Sequence, residues 1–337
     1  MQRMKISASI YSQKQVPLPE LIKSLDAHRI DYFHVDCNDN TDVFNDIRFI
    51  RTISSTPVDL HIITDNPDQY WDLLKNNPVE LVTFQYENLK NDLVIPSGIQ
   101  SKIGIAISSE TDITVFEKYA GIADFILIMA TIPGKSGGEF NKQNFRKIRQ
   151  FKNKYPSKKI HVDGGVNGEV SFILRNMGVY SSVSGSYLFK SENIGFALLN
   201  LKSFENESHF HVSDFMMGKD EIPVIRKDDL SFFGVLETIE KYKLGFTLIS
   251  GSQGEFRGII SNADIRKGLL KYRSFDDNKV QEMVNTNPVS VNENQTVVDL
   301  LRIIKSKDFP VSYLPVINDN GMISGAVTFI NLVKGEA

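Results

Sequence analysis

The sequence contains one cysteine, Cys37, in 337 residues. A single cysteine excludes a disulfide framework within the chain and any zinc site built from several thiolates. The sequence also lacks an apolar run of about 18 residues, and its start is too polar for a signal peptide, so we expect a soluble, cytoplasmic protein. The net charge is only −3, and the absence of a basic field argues against nucleic acids and membrane surfaces as partners.

The first 190 or so residues predict an α/β fold. Eight short apolar runs rich in Val and Ile alternate with amphipathic segments, which is typical of buried strands alternating with helices. The predicted strands are 6–10, 32–37, 58–63, 81–87, 102–107, 125–130, 159–165 and 181–186. Eight such units predict a closed (β/α)₈ TIM barrel. An open doubly wound sheet is the alternative, but that fold usually has a glycine-rich turn after its first strand, and ISASIYSQKQ contains no glycine.

The C-terminal part repeats one order of elements twice, with a period of about 70 residues. Each copy has a Pro-Val strand, an amphipathic helix, an apolar strand, a glycine turn and a final strand. Two such copies suggest a tandem α+β module that buries a shared face. We predict a barrel at 1–205 and the tandem module at 209–337, with copies at 209–272 and 277–337, joined by the polar stretch 203–210.

Histidine and aspartate recur where three of the predicted barrel strands end. His34 and Asp36 alternate in the second strand, so both side chains point to the same side of it. His61 ends the third strand and Asp163 ends the seventh. The carboxyl ends of barrel strands face the active site, and two histidines with two aspartates suit one divalent zinc, iron or manganese ion. The alternative for each histidine alone is an ordinary core residue.

Small residues cluster in the loops after the sixth, seventh and eighth predicted strands. They are Gly134, Ser136, Gly137, Gly164, Gly165, Gly185 and Ser186. The backbone N–H groups of such turns can face an anion, and barrels often bind phosphate in the loops after strands seven and eight. These turns therefore predict a phosphorylated substrate.

The two aspartates also predict a reaction class. Asp36 and Asp163 lie on strands at opposite sides of the predicted barrel mouth. Two carboxylates that face each other across a substrate can remove a proton from one face and return it to the other. A divalent ion would polarise the carbonyl group and stabilise the developing oxyanion. This arrangement is typical of an epimerase.

The first 200 or so residues resemble ribulose-phosphate 3-epimerases through several short motifs that follow one another in the family's order. The motifs are SASI, HVDCND, DLHIITDNP, KIGIAI, LIMATIPGKSGGEF, VDGGVN and SGSYLF. The resemblance implies a barrel that interconverts D-ribulose 5-phosphate and D-xylulose 5-phosphate by two-base proton transfer through a metal-bound enediolate. It implies His34, Asp36, His61 and Asp163 as metal ligands, with Asp36 and Asp163 as the catalytic acid/base pair.

The resemblance also implies roles in substrate binding. Ser9 would contact the substrate near the reacting carbons, Met129 would line the reacting region, and the glycine and serine turns would hold the phosphate. Asn38 and Ile63 stand where the family has methionine, so the exact sugar stays open. Another ketose phosphate, such as a 6-phosphohexulose, is the alternative substrate. A catalytically silent nucleotide sensor is the alternative function.

The C-terminal repeat resembles a pair of cystathionine-β-synthase-type (CBS) motifs. In that family, a Gly-Xaa-Xaa-(Thr/Ser)-Xaa-Xaa-Asp sequence with two apolar residues after the glycine binds the ribose of an adenine nucleotide. The first copy matches it with Ser261 and Asp264, whereas the second has Thr328 but Asn331 in place of aspartate. The resemblance implies an adenine nucleotide or nucleotide-sugar effector at Ser261, Asp264 and Thr328, and a homo-oligomer. The alternative is a pair that only mediates dimerisation.

Overall fold

The computed structural model describes residues 4–132, 137–202, 210–273, 275–309 and 311–329. Contacts divide the chain into two compact units, one within residues 1–206 and the other within 207–333. The predicted boundaries at 205 and 209 fall between the described residues and stay predictions. In the part of the chain that the structure describes, no helix has both the length and the apolar character needed to cross a membrane.

Eight parallel strands form a closed barrel in the N-terminal unit. The strands are β1 (Lys5–Ser9), β2 (Tyr32–Asn38), β3 (Val58–Ile63), β4 (Leu81–Gln85), β5 (Lys102–Ile107), β6 (Phe125–Met129), β7 (Lys159–Asp163) and β8 (Ser181–Ser184). Each strand pairs with the next one in the sequence, and β8 pairs with β1 to close the barrel. The predicted TIM barrel is confirmed and the open sheet is excluded, because an open sheet would leave two edge strands.

Helices connect most of the barrel strands. They are α1 (Leu18–Ala27), α2 (Val43–Ile53), α3 (Trp71–Asn76), α4 (Gln143–Lys154), α5 (Gly168–Asn176), α6 (Ser186–Lys190) and α7 (Ile194–Lys202). The first of them buries Leu21, Ile22 and Leu25, the apolar stripe that its 3.6-residue period predicts. The connections after β4 and β5 contain only 3₁₀ turns, Tyr86–Asn88 and Ile113–Tyr119, so two of the eight predicted units lack an α-helix.

Side-chain alternation along the strands places the polar residues inside the barrel. In β2, Phe33, Val35 and Cys37 are fully buried on one side of the strand. His34 and Asp36 lie between them and therefore point to the other side, into the barrel. The same alternation in β3 and β7 directs their histidine and aspartate side chains toward the same interior. This pattern creates a polar centre inside the barrel, toward the carboxyl ends of the strands.

The C-terminal unit contains two small sheets of one design. Strand β9 (Met217–Gly218) opens the unit, followed by β10 (Val224–Arg226), β11 (Phe246–Ser250), β12 (Phe256–Ser261), β13 (Val291–Asn292), β14 (Tyr313–Ile317) and β15 (Ile323–Thr328). In each sheet a parallel pair is followed by an antiparallel pair: β10, β11 and β12 in the first, β13, β14 and β15 in the second. The predicted repeat is confirmed. Strand β9 adds an unpredicted edge to the second sheet, since two residues carry no periodicity.

Polar side chains cap the starts of several helices in this unit. The helices are α8 (Val212–Phe215), α9 (Phe232–Tyr242), α10 (Asn262–Tyr272), α11 (Asp277–Val280) and α12 (Val297–Lys305). Ser261 and Asp264 form a reciprocal capping box at the start of α10, and Thr296 and Asp299 form an equivalent one at the start of α12. Each box satisfies backbone N–H groups that the first helical turn leaves unpaired.

Candidate active site

Four polar side chains meet at the carboxyl ends of β2, β3 and β7: His34, Asp36, His61 and Asp163. Their candidate ligand atoms all lie within 4.8 Å of one another. His34 Nε2 is 3.3 Å from Asp36 Oδ1 and 3.7 Å from Asp163 Oδ2. His61 Nδ1 is 3.6 Å from Asp36 Oδ1, because Asp36 and His61 are direct partners on β2 and β3. The barrel brings together the four side chains that the sequence singles out, and we call them the His₂Asp₂ cluster.

Each imidazole of the His₂Asp₂ cluster is held from behind by a buried polar side chain. His34 Nδ1 is 3.0 Å from Asp59 Oδ2, which also accepts a hydrogen bond of 2.9 Å from the Ser7 hydroxyl. His61 Nε2 is 2.9 Å from Gln85 Oε1. Since one nitrogen of each ring is engaged on the outside, the other is directed into the cluster.

Burial and charge displace the pKa values of the clustered groups. Burial raises the pKa of Asp163 to about 6, and the Asp36 carboxylate adds to this rise. Burial acts in the same sense on Asp36, but His34 and His61 outweigh it and hold the pKa of Asp36 below its usual range. Burial would lower the pKa of His34, but Asp36 and Asp59 overcome it and raise that pKa well above the usual value. A bound cation would have to compete with the proton on His34.

The donor set of the His₂Asp₂ cluster fits a divalent metal ion. His34 Nε2 and His61 Nδ1 are buried and have no hydrogen-bond partner among the described residues. Buried polar atoms without a partner are rare in proteins, and a cation between these nitrogens and the two carboxylates would satisfy them. Two imidazoles and two carboxylates suit zinc, iron or manganese.

The turn after β7 requires glycine because its backbone is left-handed in a crowded place. Gly164 has φ +106°, and a Cβ there would lie 2.7 Å from the backbone nitrogen of Thr131. Gly165 has φ +67°, and a Cβ there would lie 2.3 Å from the backbone nitrogen of Phe140. Only glycine fits both the conformation and the space. The chain that leaves Asp163 is therefore packed directly on the segment after β6.

The turn after β8 lies against the end of β1. A Cβ on Gly185 would lie 2.2 Å from Ser12 Oγ and 3.2 Å from Ser9 Cβ. The Ser9 and Ser12 hydroxyls are hydrogen-bonded at 2.9 Å, and Ser9 is the direct strand partner of His34. Ser186 begins the short helix α6. The predicted residues Ser9, Gly185 and Ser186 thus occupy one corner of the barrel mouth.

The remaining predicted residues of the barrel belong to β6 and the loop that follows it. Met129 is fully buried with Ala106 and Leu127, and it is the direct partner of Asp163 on β7. Gly137 has φ +89°. Gly134 and Ser136 lie outside the described residues, so their predicted contacts with a phosphate stay predictions.

In the C-terminal unit, the predicted ligand residues stand at equivalent strand ends. Ser261 ends β12 opposite Phe246, and Thr328 ends β15 opposite Tyr313. The rings of Phe246 and Tyr313 pack together with centroids 4.6 Å apart, which links the two sheets. Asp264 Oδ2 accepts hydrogen bonds from the Ser261 backbone N–H at 2.9 Å and from its hydroxyl at 2.5 Å.

Sequence reasoning missed the residues that support the cluster. Asp59 precedes His61 by two positions in a strand, so alternation alone could have placed it inside the barrel. Gln85 carries no comparable signal, because TFQYE is an ordinary strand end in the sequence. Its contact with His61 depends on the register between β3 and β4.

Family comparisons agree with this architecture. A profile of the ribulose-phosphate 3 epimerase family matches residues 5–189, and a CBS domain profile matches residues 280–336. The ribulose-phosphate 3-epimerase of Methanocaldococcus jannaschii is 30% identical over 213 residues, which cover 59% of this chain and 90% of that protein. The enzyme of the same name from Bacillus subtilis (strain 168) is 25% identical over 202 residues, covering 55% of this chain and 92% of that protein.

Among solved structures, CBS proteins are similar to part of the chain. CBSX2 in complex with AMP has a TM-score of 0.32 at 21% identity and covers 37% of this chain and 94% of that one. CbpB in complex with c-di-AMP has a TM-score of 0.31 at 22% identity, with 37% and 83% covered. The profile match to more than half of the chain shows its family. This chain belongs to the ribulose-phosphate 3-epimerase family of isomerases, with a CBS domain in its C-terminal part.

Proposed function

We propose that the chain interconverts D-ribulose 5-phosphate and D-xylulose 5-phosphate by moving the proton on C3 from one face of the carbon to the other. One observation carries this proposal. Asp36 and Asp163 belong to the same cluster at the barrel mouth, but they are supplied by β2 and β7. Carboxylates that reach a common centre from separate strands can address opposite faces of one carbon atom, which is the requirement for two-base epimerisation.

The cluster residues divide the work between metal binding and proton transfer. His34, Asp36, His61 and Asp163 would hold a divalent ion, and such an ion, when bound, polarises the substrate carbonyl as a Lewis acid. Asp36 takes the C3 proton from one epimer, and Asp163 delivers a proton to the opposite face. The roles reverse for the other epimer. The two histidines are buried, whereas both carboxylates are partly exposed and can therefore reach a substrate in the barrel mouth.

The turns around the mouth supply the recognition of the phosphate. Gly165 and Gly185 bring the backbone close to the barrel rim after β7 and β8, where barrels commonly bind phosphate. Ser186 adds a hydroxyl at the first position of α6. Ser9 is the strand partner of His34 and contacts the sugar near the reacting carbons in this proposal. Met129, beside Asp163, forms part of the wall of the same region.

Two residues at the barrel rim favour a second candidate substrate. Asn38 and Ile63 are direct partners at the ends of β2 and β3, two positions beyond Asp36 and His61. The exposed Asn38 amide adds hydrogen-bonding capacity next to the cluster. A longer ketose phosphate with one more hydroxyl, such as a 6-phosphohexulose, would use that capacity.

The CBS module is proposed to bind an adenine nucleotide or nucleotide sugar that regulates the barrel. Ser261 and Asp264 present a hydroxyl and a carboxylate at the start of α10, an 11-residue helix. A carboxylate suits the two hydroxyls of a ribose, and the helix start suits a phosphate. Thr328 offers a hydroxyl at the equivalent strand end of the second sheet. We also propose that the chain forms a homo-oligomer.

The test is deuterium exchange at C3 in heavy water, with the metal-loaded and the chelator-treated protein. D-ribulose 5-phosphate and a 6-phosphohexulose serve as the two substrates. We expect exchange and epimerisation of the pentulose phosphate, lost on chelation. Preferential exchange of the hexulose phosphate would support the second substrate. Exchange of neither, together with nucleotide binding, would support a catalytically silent sensor.

A further inference from the structure

The side chain behind His61 has two chemically different ends. Gln85 is buried at the end of β4, and its Oε1 lies 2.9 Å from His61 Nε2. At its other end, Gln85 Nε2 donates a hydrogen bond of 2.5 Å to Glu87 Oε2. An amide can be turned by 180° at little cost in shape, so its orientation is decided by its partners. The partner that decides here is Glu87.

Glu87 can only accept hydrogen bonds while it is ionised. Its Oε1 accepts from the Ser108 backbone N–H at 2.7 Å and from the Thr111 hydroxyl. Although burial opposes ionisation, these donors and Gln85 hold the pKa of Glu87 below its usual range. An ionised carboxylate requires the NH₂ end of Gln85 to face it. The carbonyl end of Gln85 must therefore face His61.

The orientation of Gln85 determines which nitrogen of His61 carries the hydrogen. A carbonyl oxygen can only accept, so Nε2 of His61 bears the hydrogen and Nδ1 has the free lone pair. Nδ1 is the buried nitrogen without a hydrogen bond, 3.6 Å from Asp36 Oδ1. His34 is held in the opposite sense, because its Nδ1 faces Asp59 and its Nε2 enters the cluster. The two imidazoles are thus oriented by different devices, one an amide and the other a carboxylate.

The segment that holds Glu87 is itself fixed to the barrel. Lys147 on α4 donates to three backbone carbonyls of that segment, Ser108 O at 2.8 Å and Ser109 O and Thr111 O at 2.6 Å. The Ser109 hydroxyl donates to the carbonyl of Met129 at 3.0 Å. The position of the Glu87 carboxylate is therefore set by contacts outside the cluster.

We propose that Gln85 and Glu87 are positioning residues that select Nδ1 of His61 as the metal-binding nitrogen. The charge of Glu87 acts through Gln85 and never touches the metal or the substrate. This inference rests on the metal site of the proposed function, but it makes a separate statement about the hydrogen on His61. Residues that orient metal-binding histidines typically affect metal affinity by about 10–100-fold.

The decisive variant is Glu87→Gln, which keeps the shape of the side chain and removes the obligatory acceptor. Gln85 can then turn over, and both tautomers of His61 become populated. The tautomer of His61 is read by nitrogen NMR of histidine-labelled, metal-free protein at a pH where His61 is neutral. We expect the hydrogen of His61 only on Nε2 in the wild type, and on both nitrogens in Glu87→Gln. A zinc titration against a competing chelator should show an affinity about 10–100-fold lower in Glu87→Gln. The His61 signals are assigned with a His61→Gln variant.

Two further variants distinguish an effect on the orientation of Gln85 from a general disturbance of the segment around Glu87. Glu110→Gln removes the charge of an exposed carboxylate in the same segment and should change neither reading. Thr111→Val loosens the segment but leaves Glu87 ionised, so the tautomer should be kept. A single His61 tautomer in Glu87→Gln, or equal zinc affinities in Glu87→Gln and Glu110→Gln, would overturn the inference. If the wild type binds no zinc, the metal site of the proposed function fails and with it the selection of a metal-binding nitrogen, even if the tautomer result is as expected.

Discussion

Asp59 Oδ2 lies 3.0 Å from Nδ1 of His34, and both side chains are buried. The contact joins the third residue of β2 to the second residue of β3, because His34 and Asp59 are direct strand partners. A carboxylate behind an imidazole fixes its tautomer and makes its other nitrogen a better metal ligand. Asp59 therefore supports the candidate metal site from behind His34.

Replacing Asp59 should weaken metal binding more than it harms the barrel. Asp59→Asn keeps the size of the side chain but removes the charge that supports His34, so we expect zinc affinity to fall by about 10–100-fold. The measurement is a zinc titration against a chelator. Asp124→Asn is the matched control, since Asp124 accepts a backbone hydrogen bond from Ile103. Equal affinities in the two variants would argue against a supporting role for Asp59.

Loss of one carboxylate of the His₂Asp₂ cluster should slow epimerisation strongly. Asp163→Asn cannot accept or deliver a proton, so we expect a rate about 10²–10⁴-fold lower. Metal content is measured in the same samples, which shows whether metal loss accounts for the fall. Asp39→Asn is the control, because Asp39 is a carboxylate outside the cluster that accepts from Thr64. A rate within tenfold of the wild type in Asp163→Asn would contradict the two-base proposal.

His161 should make the protein less stable in acid. It is fully buried in a stack with Phe125, with ring centroids 4.1 Å apart, and burial lowers its pKa to about 4. The unfolded chain takes up a proton near pH 6.5 and the folded chain does not. Stability is therefore lost as the pH falls from about 6.5 to about 4, by up to roughly 3 kcal/mol from this group.

A variant without the imidazole should lack this share of the acid sensitivity. Urea unfolding of His161→Phe and of the wild type is compared at neutral pH and near pH 4.5, and the variant should lose less stability between them. His161→Gln provides the same comparison if the phenylalanine is too large. Parallel losses in all three proteins would show that His161 titrates normally.

A methyl group at Gly165 should damage both folding and phosphate binding. Gly165→Ala places a Cβ 2.3 Å from the Phe140 backbone nitrogen at φ +67°, so we expect a loss of more than about 1 kcal/mol in unfolding free energy. The Michaelis constant for the sugar phosphate should rise as well, because the turn after β7 must move. Gly121→Ala is the control, since nothing lies within 4 Å of a Cβ there. Similar behaviour of the two variants would count against a constrained turn.

The capping boxes of α10 and α12 allow nucleotide binding to be separated from helix stability. Asp264→Ala and Asp299→Ala each remove a cap and should cost about 1 kcal/mol. Only Asp264→Ala should weaken the binding of AMP, by at least tenfold, because only Asp264 belongs to the predicted ribose site. Calorimetric titration with AMP measures the AMP affinity of each variant. Equal AMP affinities in the two variants would place the nucleotide elsewhere.

The barrel was predictable because periodicity and length are local properties. The predicted second strand, 32–37, is observed as Tyr32–Asn38, and the predicted fifth, 102–107, as Lys102–Ile107. The helix expected after the fifth strand is a 3₁₀ turn, Ile113–Tyr119. Its buried residues are Ile113, Phe116 and Tyr119, which recur every three residues as the 3₁₀ geometry requires. Packing of these residues accompanies the 3₁₀ form there.

By itself, the sequence determined the order of the strands, the inward alternation of His34 and Asp36, and the identity of the four candidate ligands. Only the tertiary structure decided what stands behind them. Asp59 reaches His34 across 25 residues of sequence, and Gln85 reaches His61 across 24. Such contacts depend on the register between neighbouring strands, and barrel closure sets that register over the whole sheet. The local sequence pattern identifies the candidate ligands, whereas the strand register of the closed sheet determines which nitrogen of each histidine faces the cluster.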